Sequence, residues 1–181
     1  MLFRSGDGLE PKLIKGPDVL LDVAARLREQ VPELLVLLTG PARGYVAAGL
    51  ERLGVPCRRA LLPDLDAVAR AYHAVDLCLV TSRDEGGPKS VLESMATGVP
   101  LVTTRVGQAA DLVRTGENGW LCEVEDAEGL AVAAAGVAAA STAELEPVLA
   151  ATRETAEACS WDALRPRWRA LFRGFVAMED A

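Results

Sequence analysis

Short runs that are apolar at every position, not at alternate ones, constrain this chain most. Leu34–Thr39 is the clearest of them, and Asp76–Thr81 and Val99–Thr104 repeat the pattern. A strand with one wet face alternates. A strand that is apolar throughout must be covered on both sides. Segments between the runs have helical periodicity. Val19, Leu20, Val23, Ala24 and Leu27 fall on one face of a helix over Asp18–Arg28, with Pro17 in its first turn. Further helices are predicted over Arg43–Leu53, Leu65–Val75, Lys89–Thr97 and Gln108–Arg114. Shorter strands are predicted at Cys57–Leu61 and Trp120–Val124. An Ala-rich helix capped by Asp126 runs to about Ala140, followed by helices over Ala143–Cys159 and Asp162–Val176. The expected fold is α/β, a three-layer sandwich around a parallel sheet, with helices at the C-terminal end.

That fold dictates where to look for a site. In parallel sheets ligands bind beyond the carboxyl ends of the strands, in the strand-to-helix loops. Here those loops are Gly40–Gly44, Ser82–Lys89 and Arg105–Gln108. At 181 residues the chain suits one domain. No apolar run is long enough to cross a bilayer, and the first residues lack the basic-then-apolar pattern of a signal peptide.

Composition removes several function classes. The net charge of −7 disfavours non-specific nucleic-acid binding, so no nucleic-acid partner is expected. Cys57, Cys78, Cys122 and Cys159 are scattered without a CxxC pair, and are read as free thiols in a reducing, cytoplasmic setting. His73 is the single histidine, which leaves little for His-based metal sites or Ser-His and Cys-His catalysis. Asp64-Leu65-Asp66 spells a D-x-D, but it precedes a helix and is read as a cap. Trp161 and Trp168, seven apart, are read as packing a terminal helix, and Gly116–Gly119 as a turn. Sixteen arginines stand against three lysines, Lys12, Lys15 and Lys89. Against that bias the lysines draw notice, because lysine presents a compact charge and arginine a flat fork.

The loop Ser82–Lys89 carries the chemistry. It leaves a central strand and feeds a helix whose N-terminus exposes unpaired N–H groups and favours phosphate. Gly86 and Gly87 permit close backbone approach. Glu85 sits in the loop and Glu93 inside the helix, so two carboxylates face one ligand at different points. Carboxylates accept from hydroxyls, and a polyhydroxylated ligand with a phosphate in the middle fits such a pair.

The stretch Glu85-Gly86-Gly87-Pro88-Lys89-Ser90-Val91-Leu92-Glu93-Ser94-Met95-Ala96-Thr97-Gly98-Val99-Pro100 resembles the E-G-x6-E-x-M-A-x-G-x-P signature of group 1 (family 4) glycosyltransferases. Lys15-Gly16-Pro17-Asp18 resembles that family's K-G-x-D. Gly40 after its strand, Asp76–Ser82, Gly107, Gly116–Leu121 and Ser160-Trp161 resemble further family positions, in order, over nearly the whole chain. The resemblance implies one Rossmann-like half of a GT-B fold. Residues 1–181 would form the donor-binding domain, and a terminal helix from about residue 158 would pack toward an N-terminal acceptor domain that the chain lacks.

The resemblance also implies roles. Glu85 and Lys15 would be catalytic, Glu85 holding the donor sugar and Lys15 the diphosphate. Glu93 would bind the ribose hydroxyls. Gly86, Gly87, Lys89, and the amides of Ser90 and Val91 would contact the donor, with Gly40 nearby and Leu61 and Leu62 at the base. Either Arg4 or Lys12 would replace an arginine that the family carries before K-G, in a stretch that here reads Gly6–Ile14. Pro88 stands where glycine is usual and removes one N–H donor. Asp111 stands near the usual glutamate. The implied reaction is transfer of a sugar from a nucleotide sugar to an acceptor sugar or glycan, retaining and without a metal or other cofactor. The isolated chain is expected to be incomplete and inactive. Two alternatives remain: a non-catalytic subunit that binds nucleotide sugar and needs a separate acceptor domain, or a GT-B sugar-nucleotide epimerase. A cytoplasmic location is expected, with membrane contact left to the missing half.

Overall fold

The computed structural model describes residues 2–4 and 11–179, with side chains described over 11–175. One six-stranded sheet runs through it: β1 (Leu2–Arg4), β2 (Val36–Thr39), β3 (Cys57–Ala60), β4 (Cys78–Val80), β5 (Leu101–Thr104) and β6 (Trp120–Cys122). The order is β3-β2-β1-β4-β5-β6 and every neighbouring pair is parallel. This is the doubly wound, Rossmann-like arrangement, whose order reverses between β1 and β4.

Helices cover both faces, as the apolar strands require. On one face α1 (Pro17–Gln30), α2 (Gly44–Arg52) and α6 (Ala127–Ala139) bury Val36, Leu38, Leu79 and Val102. On the other, α3 (Leu65–His73), α4 (Lys89–Thr97) and the short α5 (Gln108–Leu112) bury Cys78, Val80 and Leu101. The helix α7 (Thr142–Ala158) packs on α4, and α8 (Trp161–Glu179) follows it.

The helix ends follow from local chemistry. Pro17 opens α1, where its missing N–H costs nothing, with Asp18 in the first turn beside the dipole's positive end. Gly98, in the left-handed region, closes α4. The Asp64 side chain accepts from the Ala67 N–H at 2.7 Å, so the D-x-D caps α3. Asp126 caps α6 in the same way, and Ser141 with Glu144 forms a capping box on α7.

Some expectations need correction. β1 carried no readable signal in the sequence. β2 starts at Val36, two residues late, because Leu34 and Leu35 precede it and Leu35 is exposed. Trp161 does not pack a helix: it is 81% exposed. Trp168 stacks on Phe172 along an exposed face of α8. The four cysteines are free, but only Cys78 is fully buried. Burial pushes its thiol up to about 12 and the Cys122 thiol up to about 11, so both stay protonated at neutral pH.

Candidate active site

Three loops meet at the carboxyl end of the sheet. The first follows β1 and ends in a single 3-10 turn, Leu13–Lys15, then Gly16 and α1. The second links β4 to α4 and carries Ser82–Pro88. The third links β5 to α5 through Arg105, Val106 and Gly107.

Backbone and hydroxyl bonds stitch the middle loop to both neighbours. Thr81 donates its hydroxyl to the carbonyl of Gly16 at 2.7 Å, and the Arg83 N–H donates to that of Ile14 at 2.8 Å. On the other side Thr104 donates to the Ser82 carbonyl at 2.6 Å, and the Gln108 N–H to the Gly86 carbonyl at 3.0 Å. The loop that carries Glu85 is therefore held from both flanks.

This brings together two residues that are distant in sequence. Lys15 Nζ lies 2.5 Å from Glu85 Oε1. The Ser82 hydroxyl donates to the same oxygen at 2.9 Å. Beside them opens a cavity of about 530 Å³. Lys12, Lys15, Arg43 and Lys89 line it with Glu85, so among the described residues four cations meet one carboxylate. Gly40, Gly87, Ser90 and Leu62 are also in the wall, and Pro88, at the N-terminus of α4, forms part of it. A cavity with this charge balance, opening on a helix N-terminus, suits an anion.

The other expected residues fall around it. Gly86 is exposed at the loop tip, with open space where a side chain would project. Leu61 lies outside the cavity and is 75% exposed; Leu62 is the leucine that faces it. Val91 is buried in the core, and its N–H bonds the Pro88 carbonyl at 3.0 Å. Asp111 is exposed. The Arg4 side chain and residues Gly6–Glu10 lie outside the described residues.

Glu93 is half-buried on α4, and its Oε2 accepts from the Tyr72 hydroxyl at 3.0 Å. Tyr72 has no exposed surface. Its ring packs with Val91 and Met95 of α4 in the core, and its hydroxyl meets Glu93 from below. Sequence reasoning missed it, because a tyrosine on an amphipathic helix reads as core. Replacing Tyr72 with phenylalanine preserves the packing and removes the bond. A stability loss of about 1 kcal/mol is expected, measured by thermal denaturation.

Two arginines were also missed. Arg43 is 2% exposed, lines the cavity and donates from Nε to the Thr39 carbonyl at 2.6 Å. Arg83 forks onto Asp18 at 2.7 Å through both terminal nitrogens and also pairs with Glu125. The Arg83 guanidinium holds the Asp18 carboxyl below the ordinary aspartate value. The stabilisation from Asp18 is thus present above that ordinary value and disappears as pH falls through the lowered one.

The fold and the site together define a Rossmann-like α/β domain with a cationic cavity at the carboxyl end of its sheet, in which Glu85 is the carboxylate among the described lining residues. Residues 8–139 match the family described as glycosyl transferases group 1. The D-inositol 3-phosphate glycosyltransferase of Rhodococcus opacus is 33% identical over 163 residues, covering 82% of this chain and 36% of its own length. The N-acetyl-alpha-D-glucosaminyl L-malate synthase of Bacillus anthracis is 33% identical over 120 residues, covering 66% of this chain and 32% of its own length. The sucrose-phosphate synthase structure from Thermosynechococcus elongatus superposes with a TM-score of 0.80 at 25% identity, covering 91% of this chain and 43% of that one. The chain belongs to the group 1 glycosyltransferases, and its fold is one half of the GT-B architecture. It spans about a third of the length of these two curated relatives.

Proposed function

We propose that this chain is the donor-binding half of a retaining, metal-independent glycosyltransferase that takes a nucleoside diphosphate sugar. The Lys15–Glu85 pair at the cavity wall carries the reading. It sets a cation for the diphosphate against a carboxylate for the sugar, with the helix α4 N-terminus between them and Glu93.

Each residue then has a task. Glu93, held by Tyr72, accepts from the ribose hydroxyls. Lys15, with Lys89 and the α4 N-terminus, meets the diphosphate and the negative charge that grows on it as the glycosidic bond breaks. Among the described residues Glu85 makes both its bonds through Oε1, which keeps Oε2 available to a sugar hydroxyl. Fixed cations and a helix end are what the site offers to phosphate. The acceptor would be presented by a second domain or subunit. The face of α8 bearing Trp168, Leu171, Phe172 and Phe175 is exposed and apolar, which favours such a partner surface.

Calorimetric titration with UDP, GDP and ADP, with chelator present, tests the reading, first on the chain and then on its Glu93→Ala and Lys15→Ala variants. One nucleotide is expected to bind saturably, and each substitution to weaken it by about tenfold or more. A folded chain that binds none of the three at millimolar concentration would falsify the donor-site assignment.

A further inference from the structure

We propose that Arg83 is a positioning residue for this site: it locks the turn that carries Lys15 onto the loop that carries Glu85. The inference rests on the donor-site reading above.

Arg83 sits two residues before Glu85 and touches the Lys15 turn at two points and the start of α1 at a third. Its N–H donates to the Ile14 carbonyl at 2.8 Å and its Nη1 to the Leu13 carbonyl at 2.5 Å. Its fork grips Asp18, in the first turn of α1, at 2.7 Å from each terminal nitrogen. The Lys15 turn is thus bound on the upstream side by its carbonyls and on the downstream side by Asp18.

A third element holds the guanidinium in place. Glu125, in the loop after β6, pairs with Arg83 Nε and receives a second bond from Nη2 at 3.0 Å. Glu125 has a φ of 69°, the left-handed region, and is the non-glycine residue with positive φ among the described residues. A glutamate held there costs free energy locally, and such residues concentrate where a geometry must be imposed. Here the imposed geometry aims its carboxylate at Arg83.

Isolated surface ion pairs contribute little. This one differs in kind. The Arg83 side chain is 25% exposed, and its donors serve two carboxylates and a carbonyl at once. Only a planar, five-donor head can do that; a lysine ammonium in its place would satisfy one or two of them. Arg83 lies outside the cavity wall, so its effect on the ligand must pass through Lys15 and Glu85.

Amide hydrogen exchange on the ligand-free chain reads the lock directly. In Arg83→Ala the Lys15 and Gly16 amides are expected to exchange at least about tenfold faster, while α6 amides keep the wild-type rate and report an intact fold. Calorimetry reads the consequence. Nucleoside diphosphate affinity should fall about tenfold in Arg83→Ala and recover in part in Arg83→Lys, while the nucleoside monophosphate, held through Glu93, binds as before. In a Lys15→Ala background the Arg83 substitution should cost nothing further, because the two act through one contact. Unchanged exchange at Lys15 and Gly16, or an equal affinity loss with and without Lys15, overturns the proposal. A wild-type chain that binds no nucleotide sinks the donor-site reading instead, and the exchange rates alone then decide whether Arg83 holds the turn.

Discussion

Replacing Gly16 with alanine is expected to lower the stability of the fold by roughly 4 kcal/mol, a fall of about 10 °C in melting temperature for a chain of this size. Gly16 has φ 60° and joins the Lys15 turn to α1. A methyl group there would lie 1.8 Å from the Thr81 carbonyl oxygen and 2.8 Å from its carbon. The left-handed backbone alone costs an alanine about 1–2 kcal/mol. The clash is with backbone, so no side chain can swing away, and relief requires the β4–α4 loop to separate from α1. That separation also breaks the bond from the Thr81 hydroxyl to the Gly16 carbonyl. Gly136→Ala is the control. A methyl at Gly136 meets nothing within 4 Å, and the residue sits inside α6, so that substitution should stabilise by about 0.5–1 kcal/mol. Thermal denaturation of the two variants decides the matter. Equal melting temperatures would mean that the Gly16–Thr81 contact does not constrain the fold.

The sequence made some of this architecture legible and not the rest, for physical reasons. Val36–Thr39 reads as a continuous run because β2 has helices above and below it, and burial of that kind writes itself into successive positions. β1 has three residues beside a stretch of polar and glycine residues, too short for any periodicity to show. The edge strand β3 carries Arg58 and Arg59, exposed, where charge discourages further pairing. Trp161 and Trp168 share a spacing that implies a buried stripe. Spacing reports only that a face is apolar, and among the described residues nothing covers that face.

The site divides along the same line. Glu85, Glu93 and Lys15 were legible because they sit in a patterned run or turn that a resemblance could recognise. Tyr72, Arg43 and Arg83 were not. Tyr72 and Arg83 take their roles from partners that the fold brings near, Tyr72 from Glu93 across α3 and α4 and Arg83 from Asp18 across β1 and β4, while Arg43 is marked only by its burial at the cavity. In a chain with 16 arginines, a structural arginine is indistinguishable from a solvated one until its partners are in place. Two glycines show the same limit. In the sequence Gly86 reads as a place of close approach and Gly107 only as a matched family position, yet Gly107 is the one that the surrounding backbone demands.

Gly107→Ala is therefore expected to weaken nucleoside diphosphate sugar binding by between about tenfold and a hundredfold, the loss of one or two charge-assisted bonds. Gly107 has φ 44°, and a methyl on it would fall 2.0 Å from the Glu85 carbonyl oxygen and 2.3 Å from that of Gly86. Its neighbour Gln108 bonds the Gly86 carbonyl through its N–H at 3.0 Å. The β5–α5 junction thus presses on the backbone of the residues proposed to hold the sugar. An alanine must push the loop outward, and Glu85 then leaves Lys15 and Ser82. Gly86→Ala separates this effect from simple crowding of the ligand. A methyl at Gly86 projects into open space, so the empty site keeps its shape and only a ligand that approaches the loop backbone is obstructed. Calorimetry with UDP and with a UDP-sugar, or with whichever base binds, distinguishes the two. Gly107→Ala should weaken both ligands, because Lys15 loses its partner along with the loop. Gly86→Ala should weaken the sugar conjugate more than the bare nucleotide. If Gly107→Ala binds both as tightly as the unaltered chain, the position of Glu85 is not set by the β5–α5 junction, and the Lys15 turn alone must hold it.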